Sequence, residues 1–210
     1  MCSWTSSGWS GSVDRVVDYR VARRAAKSTV VFTVGHSTHP LGEFIALLKA
    51  HGVKRLVDVR TVPRSRHNPQ FNSDLLADAL HAARIVYTHL PGLGGLRHAG
   101  KDSPNTGWRN ASFRGYADYM QTPEFADALH ELLALAERQT VAIMCAEAVP
   151  WRCHRSLIAD ALIVRGIPVE HITSPTRRQP HKLTPFAKVV GEEITYPTDS
   201  IQATLGLKGA

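Results

Sequence analysis

From residue 29 onward the apolar positions fall into two alternating patterns. The stretch 29–35, TVVFTVG, is a β-branched run closed by glycine, and it reads as a buried strand. The next stretch, PLGEFIALLKAHG at 40–52, sets Leu41, Phe44, Ile45, Leu47 and Leu48 on one helical face, with Pro40 near its start and Gly52 beyond its end. The alternation then repeats. VKRLVDVR (53–60) predicts a second strand, NSDLLADALHAA (72–83) a helix opened by Asn72 or Ser73, and RIVYTHL (84–90) a third strand. A polar, Gly-rich segment follows at 91–110, longer than ordinary connections and therefore a candidate functional loop. Beyond it, ASFRGYADYM (111–120) and PEFADALHELLALAERQ (123–139) predict two successive helices, the second with Pro123 in its first turn. TVAIMC (140–145), CHRSLIADALIVRG (153–166) and IPVEHIT (167–173) add a strand, a helix ended by Gly166 and a fifth strand.

Strands that alternate with helices need crossover connections, which are right-handed and leave a parallel sheet covered on both faces. The predicted fold is α/β, a three-layer sandwich with a mainly parallel sheet of about five strands, too few for an eight-stranded barrel. A single domain is expected over residues 29–190. Residues 1–28 read as a flexible or partly helical leader: MCSWTSSGWSGS is Ser/Gly-rich, and the basic piece after it carries Arg23, Arg24 and Lys27. Residues 191–210 read as a C-terminal tail.

Composition narrows the class. Hydrophobic residues make up 43% of 210 and charged residues 20%, ordinary globular usage that excludes disordered and collagen-like chains. The longest apolar runs are about six residues against the roughly 20 of a membrane-spanning helix, so no membrane segment is expected. Cys2, Cys145 and Cys153 form no disulfide framework and no secretory signal pattern opens the chain, which points to a cytoplasmic location. The net charge is +7, and the basic excess persists over residues 30–190. That balance suits an anionic partner, either a small molecule or nucleic acid. It identifies no cofactor and no oligomeric state.

In such a sheet, ligands bind where the strands end and the helices begin. The five strand exits read His36-Ser37, Asp58-Val59-Arg60, His89, Cys145-Ala146-Glu147 and His171-Ile172-Thr173, each with a group able to donate, accept or titrate. The opposite strand ends carry no comparable set. The second exit continues as RTVPRSRHNPQFN, where Arg60, Arg64 and Arg66 form a candidate anion clamp stiffened by Pro63 and Pro69. Around MCAEAVPWRCHRS three chemistries compete. Cys145, near a helix start and beside Arg152 and Arg155, is a candidate nucleophile, although the spacing to Arg152 is not that of a phosphatase loop. A metal held by Cys145, Cys153 and His154 would have an unusual ligand spacing, and no metal is expected; a reversible Cys145–Cys153 disulfide is a further alternative. Glu147, alone or with Asp58, is a candidate general acid or base, and His36 joins these as a candidate catalytic group. Ser37, Arg152, His154 and Arg155 would then help bind the substrate.

The blocks TVGHSTHPLGEFIALLKAHGV, LVDVRTVPRSRHNPQFN, YTHLPGLGG, MCAEAVPWRCHRSLIADAL and HKLTPFA together resemble the bacterial and archaeal family called domain of unknown function 488. The resemblance spans about residues 30–187. It implies a cytoplasmic α/β domain whose motif positions fall on Gly35, His36, Ser37, Asp58, Arg60, Pro63, Gly94, Gly95, Cys145, Glu147, Cys153, His154 and Arg155, and it implies no particular reaction. The expected function is hydrolysis or group transfer on a phosphate-bearing substrate such as a nucleotide or nucleic acid. A non-catalytic anion- or nucleic-acid-binding module is the first alternative, and a thiol-redox or metal-dependent protein using Cys145 and Cys153 the second.

Overall fold

The computed structural model describes residues 29–198; the leader with Trp4, Trp9, Arg23, Arg24 and Lys27, and residues 199–210 of the tail, lie outside the described residues. The alternation seen in the apolar pattern is realised as β1 (Val31–Gly35), α1 (Leu41–Ala50), β2 (Arg55–Asp58), α2 (Ser73–Ala82), β3 (Val86–His89), α3 (Ala111–Tyr119), α4 (Pro123–Arg138), β4 (Val141–Cys145), α5 (Arg155–Val164) and β5 (Val169–Ser174). Short 3-10 turns at Pro69–Phe71, Pro91–Leu93 and Pro150–Arg152 follow β2, β3 and β4, each opened by a proline whose fixed φ suits the first position of a helical turn. Gly52 and Gly166 take left-handed φ just past α1 and α5 and stop both helices there. Asn72 sits at the start of α2, but its side-chain carbonyl accepts from the Ser65 amide at 2.8 Å, pinning the preceding loop instead of capping the helix.

Three further strands complete the fold: β6 (Arg177–Pro180), β7 (Lys188–Val190) and β8 (Glu193–Thr195). The main sheet has the order β3-β2-β4-β1-β5-β6, parallel except for antiparallel β6, while β7 and β8 form a separate hairpin. Beyond the expected five strands, β6 escapes the hydrophobic pattern because its RRQP is exposed along its length, the charged and proline-bearing character that protects sheet edges. Strands β7 and β8 are three residues each, too short to show an alternation.

Successive side chains of a strand point to opposite faces, and the core splits accordingly. Phe32, Val34, Leu56, Ala142 and Met144 pack against α1 and α2 on one face, whereas Val31, Val57, Val141, Ile143 and Val169 pack against α3, α4 and α5 on the other. The result is the three-layer sandwich. Folded structure continues past residue 190, where the apolar pattern places a tail: Ile194 and Tyr196 are buried in the α3–α5 core, and the Tyr196 hydroxyl donates to Asp160 at 2.9 Å. The long segment 91–110 is likewise tied down, with Asp118 accepting from the Gly100 amide, the Ser103 hydroxyl and the Asn105 side chain at 2.9, 2.5 and 2.7 Å.

The winding sets a reversal at the carboxyl edge of the sheet. From β1 the chain moves outward through β2 and β3 with its helices on one face, then returns to β4 and crosses to β5 with its helices on the other. The helices after β1 and β2 therefore leave on the opposite face from the helix after β4, and an α/β sheet binds ligands at such a reversal.

Candidate active site

The loop leaving β4 lies across the end of β1. Gly35 is in register with Cys145, the His36 amide donates to the Cys145 carbonyl at 3.0 Å, and the Ser37 amide donates to that of Ala146 at 2.9 Å. A Cβ at Gly35 would overlap the Glu147 carbonyl, so only glycine admits this approach. On the other side of β4, buried Asp58 and Arg60 form an ion pair, with Arg60 Nη2 to Asp58 Oδ2 at 2.6 Å and Arg60 Nε to Oδ1 at 2.9 Å. The Arg60 amide and the Tyr87 hydroxyl also donate to Asp58, and Arg60 Nη2 donates to the Phe71 carbonyl. His36 is buried and stacks on Phe71 with ring centroids 4.2 Å apart. Its Nδ1 donates to the Ser37 carbonyl at 2.9 Å and its Nε2 faces Arg60 at 3.4 Å. Burial, and then the nearby guanidinium groups, push His36 below the ordinary histidine range and keep it neutral.

Between these walls lie the two thiols. Cys153 sits at the N-terminal end of α5, with its sulfur 3.7 Å from His154 Nδ1. His154 Nε2 donates to the Val59 carbonyl at 3.1 Å, and Nδ1 is the ring nitrogen that faces Cys153. A hydrogen bond between the two cysteines, and then the neighbouring His154 and Arg155, hold the Cys153 thiol well below the usual cysteine range. The same hydrogen bond, reinforced by burial, pushes Cys145 up, so the proton stays on Cys145. Cys145, Cys153 and His154 offer three donor atoms within 4.8 Å of one another, the kind of set that holds zinc.

Behind the thiols Arg155 is buried at 1% exposure. One of its Nη atoms donates to the Thr33 hydroxyl at 3.1 Å, the other donates to the Glu147 carbonyl, and its Nε has no partner. Among the described residues no carboxylate pairs with it. From Thr33 a chain of polar contacts leads away: Thr33 Oγ1 to His171 Nδ1 at 2.7 Å, His171 Nε2 to His181 Nδ1 at 3.0 Å, and His181 Nε2 to Asp160 Oδ1 at 2.8 Å. Since Asp160 accepts, each link donates toward it, from Arg155 through Thr33, His171 and His181. Burial, with His181 and Arg155 adding to it, lowers His171 to about 4.

The structure thus brings His36, Asp58, Arg60, Cys145, Cys153, His154 and Arg155 together at one edge of the sheet. Glu147 stands exposed, and its backbone carbonyl rather than its carboxylate meets Arg155. Arg64, Arg66 and Arg152 are also exposed on loops of the same edge, and Ser37 is half-buried with φ 46, a left-handed conformation rare for serine. The sequence pattern passed over Thr33, Phe71, Tyr87, Asp160 and His181. Thr33 and Tyr87 lie within strands, Asp160 within a helix and Phe71 and His181 in connections, so no local spacing ties them to the exits.

No curated protein and no solved structure matches the chain. A family model described as Domain of unknown function DUF488 matches residues 40–162, a span holding the DVR, LGG and CAE-to-CHR blocks and more than half of the chain. On that match the chain belongs to the DUF488 family.

Proposed function

We propose that the protein is an enzyme that uses Cys153 as a nucleophile in hydrolysis or group transfer on a phosphate-bearing substrate. One observation carries this reading: the Cys153 sulfur lies 3.7 Å from His154 Nδ1 and within 4.8 Å of the Cys145 sulfur, beside a buried guanidinium with no carboxylate partner among the described residues. A buried cation without a counterion is costly, and a thiolate at Cys153 offsets the Arg155 charge. The thiolate attacks phosphorus, an S–P bond forms as the bond to the leaving oxygen breaks, and that oxygen takes a proton from water. Exposed Glu147 then takes a proton from the water that cleaves the S–P bond. Arg64, Arg66 and Arg152, with Ser37, meet the substrate anion, while Asp58 holds Arg60, and Arg60 and His36 hold the wall of the site.

The test is a pH titration of thiolate ultraviolet absorbance in the wild type and in Cys145→Ser and Cys153→Ser variants. One thiolate should develop below the ordinary thiol midpoint of about 8.5, vanish in Cys153→Ser and shift upward in Cys145→Ser. Thiolate absorbance appearing only above that midpoint would overturn the reading. Stoichiometric zinc lost with Cys153→Ser would move these residues to metal binding. The binding-module alternative has a different signature: affinity for oligonucleotides that falls steeply with salt, depends on Arg64 and Arg66, and ignores Cys153 and Glu147.

A further inference from the structure

Against the Pro150–Arg152 turn that leads to Cys153 lies a cavity of about 230 Å³ walled by Trp108, Pro150, Trp151, Pro180, His181 and Lys182. Ser156 in the first turn of α5 also lines it, so the cavity and Cys153 share one loop and one helix start. Its volume is below the roughly 300–1,000 Å³ of sites that engulf a drug-sized molecule. It has room for one flat ring system and leaves the rest of a larger ligand outside.

The walls suit such a ring. Trp151 is 66% exposed, a large indole face left in water two residues before Cys153, and prolines 150, 180 and 185 supply further apolar surface. The imidazoles of His171 and His181 have their ring nitrogens occupied by Thr33, by each other and by Asp160, so they present a polar wall that the fold has already satisfied. Gln179 and Lys182 stand exposed at the lining, and no lining residue is acidic. Arg152 follows Trp151 directly and is exposed as well. An aromatic face with adjacent cations is the arrangement that receives a base and its phosphate together.

We propose that this cavity is the base subsite of the proposed active site, and that the substrate is a nucleoside phosphate whose heterocycle stacks on Trp151 while its phosphate meets Lys182 and Arg152. The proposal rests on the reading of this sheet edge as a site for a phosphate-bearing substrate, and it adds the ring. Sugar phosphates without a base satisfy the cations but leave Trp151 in water.

Isothermal titration of the full chain with adenosine and cytidine monophosphates, adenosine, ribose 5-phosphate and inorganic phosphate tests it. A nucleoside monophosphate should bind at least about tenfold more tightly than ribose 5-phosphate, Trp151→Ala should weaken it by roughly 5- to 100-fold, and Trp151→Phe should restore most of the loss. Lys182→Ala should weaken the monophosphate and spare adenosine. Equal affinity for ribose 5-phosphate and the monophosphates, or an unchanged affinity in Trp151→Ala, overturns the base subsite while leaving the phosphate reading standing. Binding of adenosine through Trp151 with no gain from any phosphate keeps the ring subsite and overturns the phosphate reading. The monophosphate titration repeated on Cys153→Ser, which keeps the cavity walls, should show the same base preference; its loss there would overturn the placement of the ring at Trp151.

Discussion

A charge inside the sheet is tolerated only when its hydrogen bonds are complete, and Asp58 meets that demand with donors from the Arg60 side chain, the Arg60 amide and Tyr87. A carboxylate so fully engaged has little left for proton transfer, which is why the proposed chemistry assigns it to holding Arg60. His171 shows the reverse economy, a titratable group kept neutral. Its pKa near 4 lies below the ordinary 6.5, so between those values the unfolded chain binds a proton that the folded one refuses. The stability contributed by neutral His171 is present in full above about pH 6.5 and disappears as pH falls toward 4, a change of about 3 kcal/mol. Urea denaturation at a series of pH values between 7 and 4 should show this loss, and His171→Gln should make it shallower. Thr33 and His181 bond that imidazole on its two sides, and Arg155 reaches it through Thr33.

Among the elements, the decisive contact is the loop after β4 lying across the end of β1. Gly35→Ala would force a methyl group into the Glu147 carbonyl and the Ala148 backbone, where no flexible side chain can yield. A destabilisation of about 1–3 kcal/mol is expected from the overpacking. Because Cys145 and Cys153 flank the displaced loop, the Cys153 thiolate titration should also move toward the ordinary thiol range. A variant with an unchanged titration would show that this approach does not position the thiols. The helices were legible from their spacing, with Pro123 and Gly166 marking a start and an end. Strand β6 was not, because an exposed RRQP at a sheet edge has no apolar period to detect.

Across the whole molecule, two distant segments meet in the α3–α5 core. Tyr196, past the predicted end of the domain, is fully buried, donates to Asp160 and packs beside Trp108 at 5.5 Å between centroids. Asp160 in turn accepts from His181 and Thr184, so the C-terminal strap supports the polar chain that runs to Arg155. Tyr196→Ala should cost about 3–5 kcal/mol, read as a lower urea midpoint with an unchanged slope. A chain that tolerated it would show that folding ends near residue 190 after all.

Hydrophobic period, glycine and proline positions determine the order and type of the elements, and through the handedness of crossovers they determine that the polar exits share one edge. Sequence alone therefore brought His36, Asp58, Arg60, Cys145, Glu147, His154 and Arg155 into view as one group. It ranked Cys145 above Cys153 because strand-end position was the available criterion. Only the folded chain supplies the His154 nitrogen facing Cys153, the Arg155 guanidinium without a carboxylate partner among the described residues and the Cys145 sulfur close by, which lower one thiol and raise the other. Proton affinity is set by neighbours within a few ångströms in a low-dielectric interior, and those neighbours come from β1, β2, the β4 exit and α5. No local spacing encodes that meeting; it exists only once the sheet has closed around it.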